Sequence, residues 1–192
     1  MFLKMTEISP INTVFYDGNT GRPLYKTSTP KLLGGTTHVS CAIESPLTSP
    51  EHGGAETTQF AHLASIDFHE YHIKKPSVIT FRGNERVVNE WLKKEGAGRG
   101  WWGPHRPFTA EDGKDYKWLL KANHVELRTN DVSEILVACF HPRKDRLFKK
   151  GKEPAALEVK EGYEAILDEI VVTFVFLEQL RGIYDRGEEV IS

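Results

Sequence analysis

Residues 143–152 (RKDRLFKKGK) hold six cations, Arg143, Lys144, Arg146, Lys149, Lys150 and Lys152, against the single anion Asp145. Clustered Lys and Arg each contribute about 1 kcal/mol of attraction to an anionic leaflet, and an aromatic such as Phe148 can dip into that interface. The run therefore reads as the best candidate site for an anionic lipid headgroup or another anion, with Lys74, Lys75, Lys93 and Lys94 able to extend it. A solvated hairpin whose Leu147 and Phe148 pack inward accounts for the same composition. A second feature is Trp101-Trp102, which follows the glycine-rich stretch of residues 96–100. Paired aromatics in a loop serve as interface anchors, insert at a membrane surface, or fold back as a lid over one end of the fold.

Other chemistry-bearing patterns are weaker. His69-Glu70-Tyr71-His72 is one residue short of the zincin helix motif, and in a strand positions 69 and 72 point to opposite faces. The remaining histidines lack a paired Cys or a short ligand spacing, so no metal site is expected. There is no Gly-x-Ser-x-Gly elbow, and neither Cys41 nor Cys139 lies in the basic, exposed setting that activates a thiol. The carboxylate pairs Glu111–Asp112 and Asp168–Glu169 fit a hairpin turn and a helix start. Residues 96–100 lack the third glycine and the following helix of a dinucleotide fingerprint. No catalytic residue and no cofactor is expected.

Composition bounds the rest. The 192 residues, 39% hydrophobic and 27% charged, suit one globular domain spanning residues 1–192. A formal net charge of −2 argues against a whole-surface nucleic-acid binder, which needs a broadly basic face, and leaves room for a local basic patch. The N-terminus has no apolar run of the signal-peptide kind, no Asn-x-Ser/Thr acceptor occurs, and the two cysteines fit reduced, buried positions. These features predict a cytoplasmic protein. The most apolar segment, residues 170–177 (IVVTFVFL), is too short for a bilayer, which needs about twenty residues.

The dominant period is two. Val39, Cys41 and Ile43 alternate with polar or small residues, as do Val125 with Leu127 and Leu157 with Val159, the signature of strands with one buried face. Further strands are expected at residues 13–16, 23–27, 62–69, 78–82, 85–88, 116–120 and 135–140. Turn residues at 17–21, 83–84 and 112–113 separate them. About ten short strands with tight turns predict an antiparallel sandwich or barrel occupying residues 12–160. From residue 162 to 185 the turn residues vanish, acidic residues gather early (Glu164, Asp168, Glu169) and Arg181 lies late, as a helix dipole prefers. Gly182 is a plausible stop. The β-branched run at 170–172 suits a central strand, whereas length and charge placement favour a helix. Apolar on nearly every side, that helix must be enclosed by protein.

Four ordered segments carry a resemblance: residues 12–30 (NTVFYDGNTGRPLYKTSTP), 108–118 (FTAEDGKDYKW), 137–159 (VACFHPRKDRLFKKGKEPAALEV) and 166–181 (ILDEIVVTFVFLEQLR). Together they resemble an uncharacterised fungal domain family, which in turn looks like the tubby, LURP-one and scramblase-like group. That resemblance implies a closed antiparallel β-barrel, usually of twelve strands, wrapped around a central hydrophobic C-terminal helix. Tubby binds phosphoinositides through its barrel; scramblase-like members act at membranes with an added membrane segment, which this chain lacks.

Three functions are expected in turn. The first is a non-enzymatic binding module, possible partner an anionic membrane surface, engaged through Arg143, Lys144, Arg146, Lys149, Lys150 and Lys152. The second is an enzyme or small-molecule carrier with a pocket at one barrel end, capped by Trp101 and Trp102 and lined by histidines. The third is a protein-interaction domain using the Trp loop or a sheet edge.

Overall fold

The computed structural model describes residues 1–30, 35–43, 58–69, 75–96, 105–145 and 152–185. Two antiparallel meanders dominate it. The first runs through β1 (Phe2–Met5), β2 (Val14–Asp17), β3 (Pro23–Ser28), β4 (Thr37–Ile43), β5 (Gln59–Asp67), β6 (Val78–Phe81) and β7 (Asn84–Val87). A one-turn helix α1 (Val88–Trp91) leads toward the second, formed by β8 (Arg106–Thr109), β9 (Asp115–Leu120), β10 (Val125–Thr129), β11 (Leu136–His141) and β14 (Ala156–Val159). The short hairpin β12 (Lys144–Asp145) and β13 (Lys152–Glu153) stands apart as its own two-stranded sheet. Pairing of β1 with β14 fuses the meanders into one twelve-stranded sheet, ordered β7-β6-β5-β4-β3-β2-β1-β14-β11-β10-β9-β8.

Local sequence explains these elements. The two residues between β6 and β7, Arg82 and Gly83, both have positive φ (49° and 79°), the tight hairpin turn that matches strand twist. Gly113, at φ 77°, supplies the left-handed position of the β8–β9 turn. The bulge between Val39 and Ser40 on β4 leaves Leu63 of β5 unpaired. It puts His62 and Ser65 on the same outer face despite their odd spacing.

The expected helix exists. After a 3₁₀ turn at Glu164–Ile166, α2 runs from Leu167 to Asp185, so Gly182 does not end it. Residues 170–177, Thr173 included, all have 0% exposure. Strands from both halves of the sheet touch this core. Phe174 packs edge-on against Phe15 of β2 at 6.3 Å and tilted against Phe140 of β11 at 5.0 Å. Phe176 meets Phe68, just past β5, at 5.1 Å. The Trp118 indole of β9 donates to the Thr173 hydroxyl at 3.0 Å, and that hydroxyl donates to the Glu169 carbonyl at 2.6 Å. Thr173 is tolerated because both its hydrogen-bonding roles are filled inside the core. Burial of each large apolar side chain here contributes about 1.5–3 kcal/mol.

The sheet differs from the expected closed barrel: β7 and β8 are its two edges and do not pair. The chain leaves β7 into α1, and residues 93–95 then run beside β8. The Lys93 amide donates to the Pro107 carbonyl at 3.1 Å, and Glu95 and His105 exchange hydrogen bonds. Pro107 has no N–H to offer on that side, which suits an edge strand. Two strands of the main sheet escaped the periodicity, β1, a four-residue run at the N-terminus, and β8, which contains that proline; so did the two-residue β12 and β13. Cys41 and Cys139 are free and only half-buried, less enclosed than their apolar neighbours suggest.

Candidate functional site

Where the backbone ladder stops between β7 and β8, side chains bridge the seam. Arg82 sits at the tip of the β6–β7 hairpin. Arg86 pairs in register with the buried Ile79 and so shares its inward face. Opposite them lie Glu111, from the β8–β9 turn, and Asp168 and Glu169, from the first turn of α2. Arg82 spans Glu111 at 2.5 Å and Asp168 at 2.7 Å, while Arg86 stands 3.6 Å from Glu169 and 4.0 Å from Glu111. Tyr25 donates its hydroxyl to Asp168 at 2.6 Å, and the Glu111 amide donates to Glu169 at 2.7 Å. Burial and then the neighbouring Asp168 push the Tyr25 phenol far above its usual range. Burial raises the Glu169 carboxyl too, against the opposing pull of the Glu111 amide.

An aromatic column lies alongside. The Arg86 guanidinium sits 4.4 Å over the Trp91 ring. Trp91 in turn stacks on Phe81 at 6.2 Å and meets Phe108 edge-on at 6.1 Å. The fully buried Arg106 of β8 donates to the Asn89 side chain at 3.1 Å and to the Leu92 carbonyl at 3.2 Å, tying α1 to the far edge. Guanidinium groups thus join the backbone amides of Lys93 and Glu111 as donors at the seam, a task their rigid, always-charged fork suits.

Beside Trp91 the seam opens into a cleft of about 560 Å³. Trp91, Pro107 and Phe108 line it together with Glu90, Lys93, Lys94, Glu95, Thr109, Asp115 and Asn130. Its size falls within the roughly 300–1,000 Å³ of ligand sites, and both signs of charge stand around an aromatic wall. The Thr109 hydroxyl donates to Asp115 at 2.6 Å. Among the described residues the lining holds no histidine, serine or cysteine. The Trp91 indole N–H is buried without a hydrogen-bond partner among the described residues.

The residues singled out in the sequence fall elsewhere or outside the described chain. Trp101 and Trp102 lie outside the described residues. Arg146, Phe148, Lys149 and Lys150 also lie outside the described residues. In the β12–β13 hairpin, Lys144 is in register with Glu153 and Lys152 with Asp145. Arg143 lines a smaller recess with Met5, Glu7 and Ala155. Of the histidine motif, His69 follows β5 and its amide donates to Ser77 at 2.9 Å, and His72 lies outside the described residues. Glu111 and the Asp168–Glu169 pair do occupy a turn and a helix start, as expected, but the fold brings them together, which sequence separation concealed. Arg82, Arg86 and Trp91 were not anticipated; the nearest signal was the Gly83-Asn84 turn, with Arg82 read as the end of the preceding strand and not as the source of a cation.

No helix among the described residues is long and apolar enough to cross a membrane. No curated protein and no solved structure matches the chain. A family model does match, over residues 8–182, and the chain belongs to that family, the family of unknown function DUF6593.

Proposed function

We propose that this DUF6593 domain is a non-enzymatic binding module whose ligand seats in the seam cleft against Trp91. The observation that carries the reading is the cleft itself, about 560 Å³ at the place where the sheet fails to close, while α2 fills the interior. The lining suits binding more than catalysis. It offers aromatic surface and fixed charges, and its hydroxyl at Thr109 is already engaged by Asp115. An amphipathic small molecule with a flat apolar part and polar ends fits that surface. The kinship to tubby-like domains belongs to the same reading: a twelve-stranded antiparallel sheet curved around a hydrophobic C-terminal helix supports it, and the open seam is the departure from it. A cytoplasmic location is part of the same proposal.

Mapping amide and indole resonances against a library of amphipathic fragments tests the site. Binders should shift the Trp91 indole, Lys93 and Thr109 together, and Trp91→Ala should weaken them about tenfold or more, the loss of one aromatic anchor. Binders that leave these three resonances unmoved would refute the cleft as the site.

A second reading keeps the basic arm as an anion or lipid-headgroup contact, favoured by β12–β13 standing apart from the main sheet. It requires binding to phosphoinositide-containing vesicles that fades with salt and is lost in Lys149→Glu/Lys150→Glu. Indifference to such vesicles at low salt removes it.

A further inference from the structure

We propose that His124, Glu126 and Cys139 form a binding site for a zinc-like divalent transition-metal ion on the outer face of β10 and β11. Strand geometry assembles it. Glu126 lies between the inward-facing Val125 and Leu127, so its side chain takes the opposite face. His124, two residues earlier, shares that face. Cys139 is the cross-strand partner of Glu126 in register, and its neighbours Ala138 and Phe140 point inward. One nitrogen, one oxygen and one sulfur donor then lie within 4.8 Å of one another.

The distances suit coordination. His124 Nε2 is already 3.1 Å from Glu126 Oε1, about the separation of two ligands on one tetrahedral ion. Bringing all three to metal–ligand lengths of about 2.0–2.3 Å in tetrahedral geometry requires the set to contract by at most about 1.3 Å. Three protein donors leave a fourth position for water. Thiolate and imidazole together select zinc, cobalt or copper over magnesium and calcium. Binding proceeds as the Cys139 thiol gives its proton to solvent and sulfur donates its electron pair to the ion.

Surrounding groups are placed as outer-shell supports. Asn123 Oδ1 stands 2.6 Å from His124 Nδ1 and turns the other ring nitrogen toward Glu126. Arg128 holds Glu126 Oε2 through Nε at 3.1 Å and Nη2 at 2.9 Å, leaving Oε1 for the ion. Such second-shell contacts orient ligands at known metal sites. One group competes: the Lys121 ammonium lies 2.7 Å from Oε1. Its side chain is 41% exposed, so it can swing into solvent when an ion arrives. The lysine neutralises the carboxylate of the metal-free site, and its removal should favour the metal. The sequence hid this site because the sulfur ligand comes from the neighbouring strand, thirteen residues beyond Glu126.

Cobalt(II) titration of the reduced 192-residue chain tests the proposal, read by the thiolate-to-cobalt charge-transfer absorption. One equivalent should produce the band, added zinc should erase it, and excess magnesium should not. Cys139→Ser should abolish it while Cys41→Ser keeps it. Asn123→Ala should weaken binding about 10- to 100-fold, and Lys121→Gln should tighten it. Circular dichroism on each variant separates loss of the site from loss of the fold. Should Cys139→Ser fail to fold, His124→Ala, altering a residue at the β9–β10 turn, must itself weaken binding at least tenfold. A wild-type chain with no band, a band surviving Cys139→Ser, or affinity unmoved by His124→Ala would overturn the assignment.

Discussion

Glu169 is the residue whose surroundings most constrain its behaviour. It is 1% exposed, accepts the Glu111 amide through one oxygen, and has Arg86 at 3.6 Å from the other. Burial raises its pKa above the ordinary glutamate value, so the folded protein takes up a proton more readily than the unfolded chain. Stability from this group is therefore fully present below the ordinary value and declines as pH rises through the folded one. Glu169→Gln keeps an oxygen for the Glu111 amide and removes the titration. Its unfolding free energy should be flatter with pH than that of the wild type across that window, measured by urea denaturation at successive pH values. An equal slope in both proteins would show that the carboxylate is not desolvated. The sequence displayed Glu169 as one of an acidic pair opening a helix, which is true of its backbone. Its partners Arg86 and Glu111 lie dozens of residues away, and no local pattern announces such a meeting.

At the scale of elements, turn chemistry and period two located most strands, because both are local. The β6–β7 hairpin shows the limit of that success. Its turn was legible as Gly83-Asn84, but the two left-handed residues are Arg82 and Gly83, and the unusual φ of Arg82 aims its guanidinium across the seam. Nothing crowds a Cβ at Gly83, so Gly83→Ala isolates the conformational cost. A left-handed alanine costs about 1–2 kcal/mol, which should lower Tm by roughly 2–8 °C in a chain of this size. Thermal denaturation checks it; an unchanged midpoint would mean that the hairpin is not held in this geometry. Strands β1 and β8 escaped notice for physical reasons. A four-residue strand shows too little alternation to register, and Pro107 contradicts strand propensity unless the strand is an edge.

For the whole molecule, the wrapped helix was legible and the closure of the sheet was not. A segment apolar all round must be enclosed, and residues 170–177 announced that requirement by themselves. Whether β7 meets β8 depends on where α1 and residues 93–95 pass, and on a proline that withholds one donor. The cleft was invisible for the same reason, being the consequence of a missing pairing between distant strands. The grouping of His124, Glu126 and Cys139 was not legible either, because these side chains converge only through strand register.

An enclosed helix and a weaker seam should differ in local stability, and native-state hydrogen exchange measures both at once. The amides of residues 170–177 should be the slowest in the chain, exchanging only through global unfolding, while those of residues 88–95 should exchange through openings of lower free energy. Rapid exchange across residues 170–177, with the seam better protected than the helix, would contradict the account.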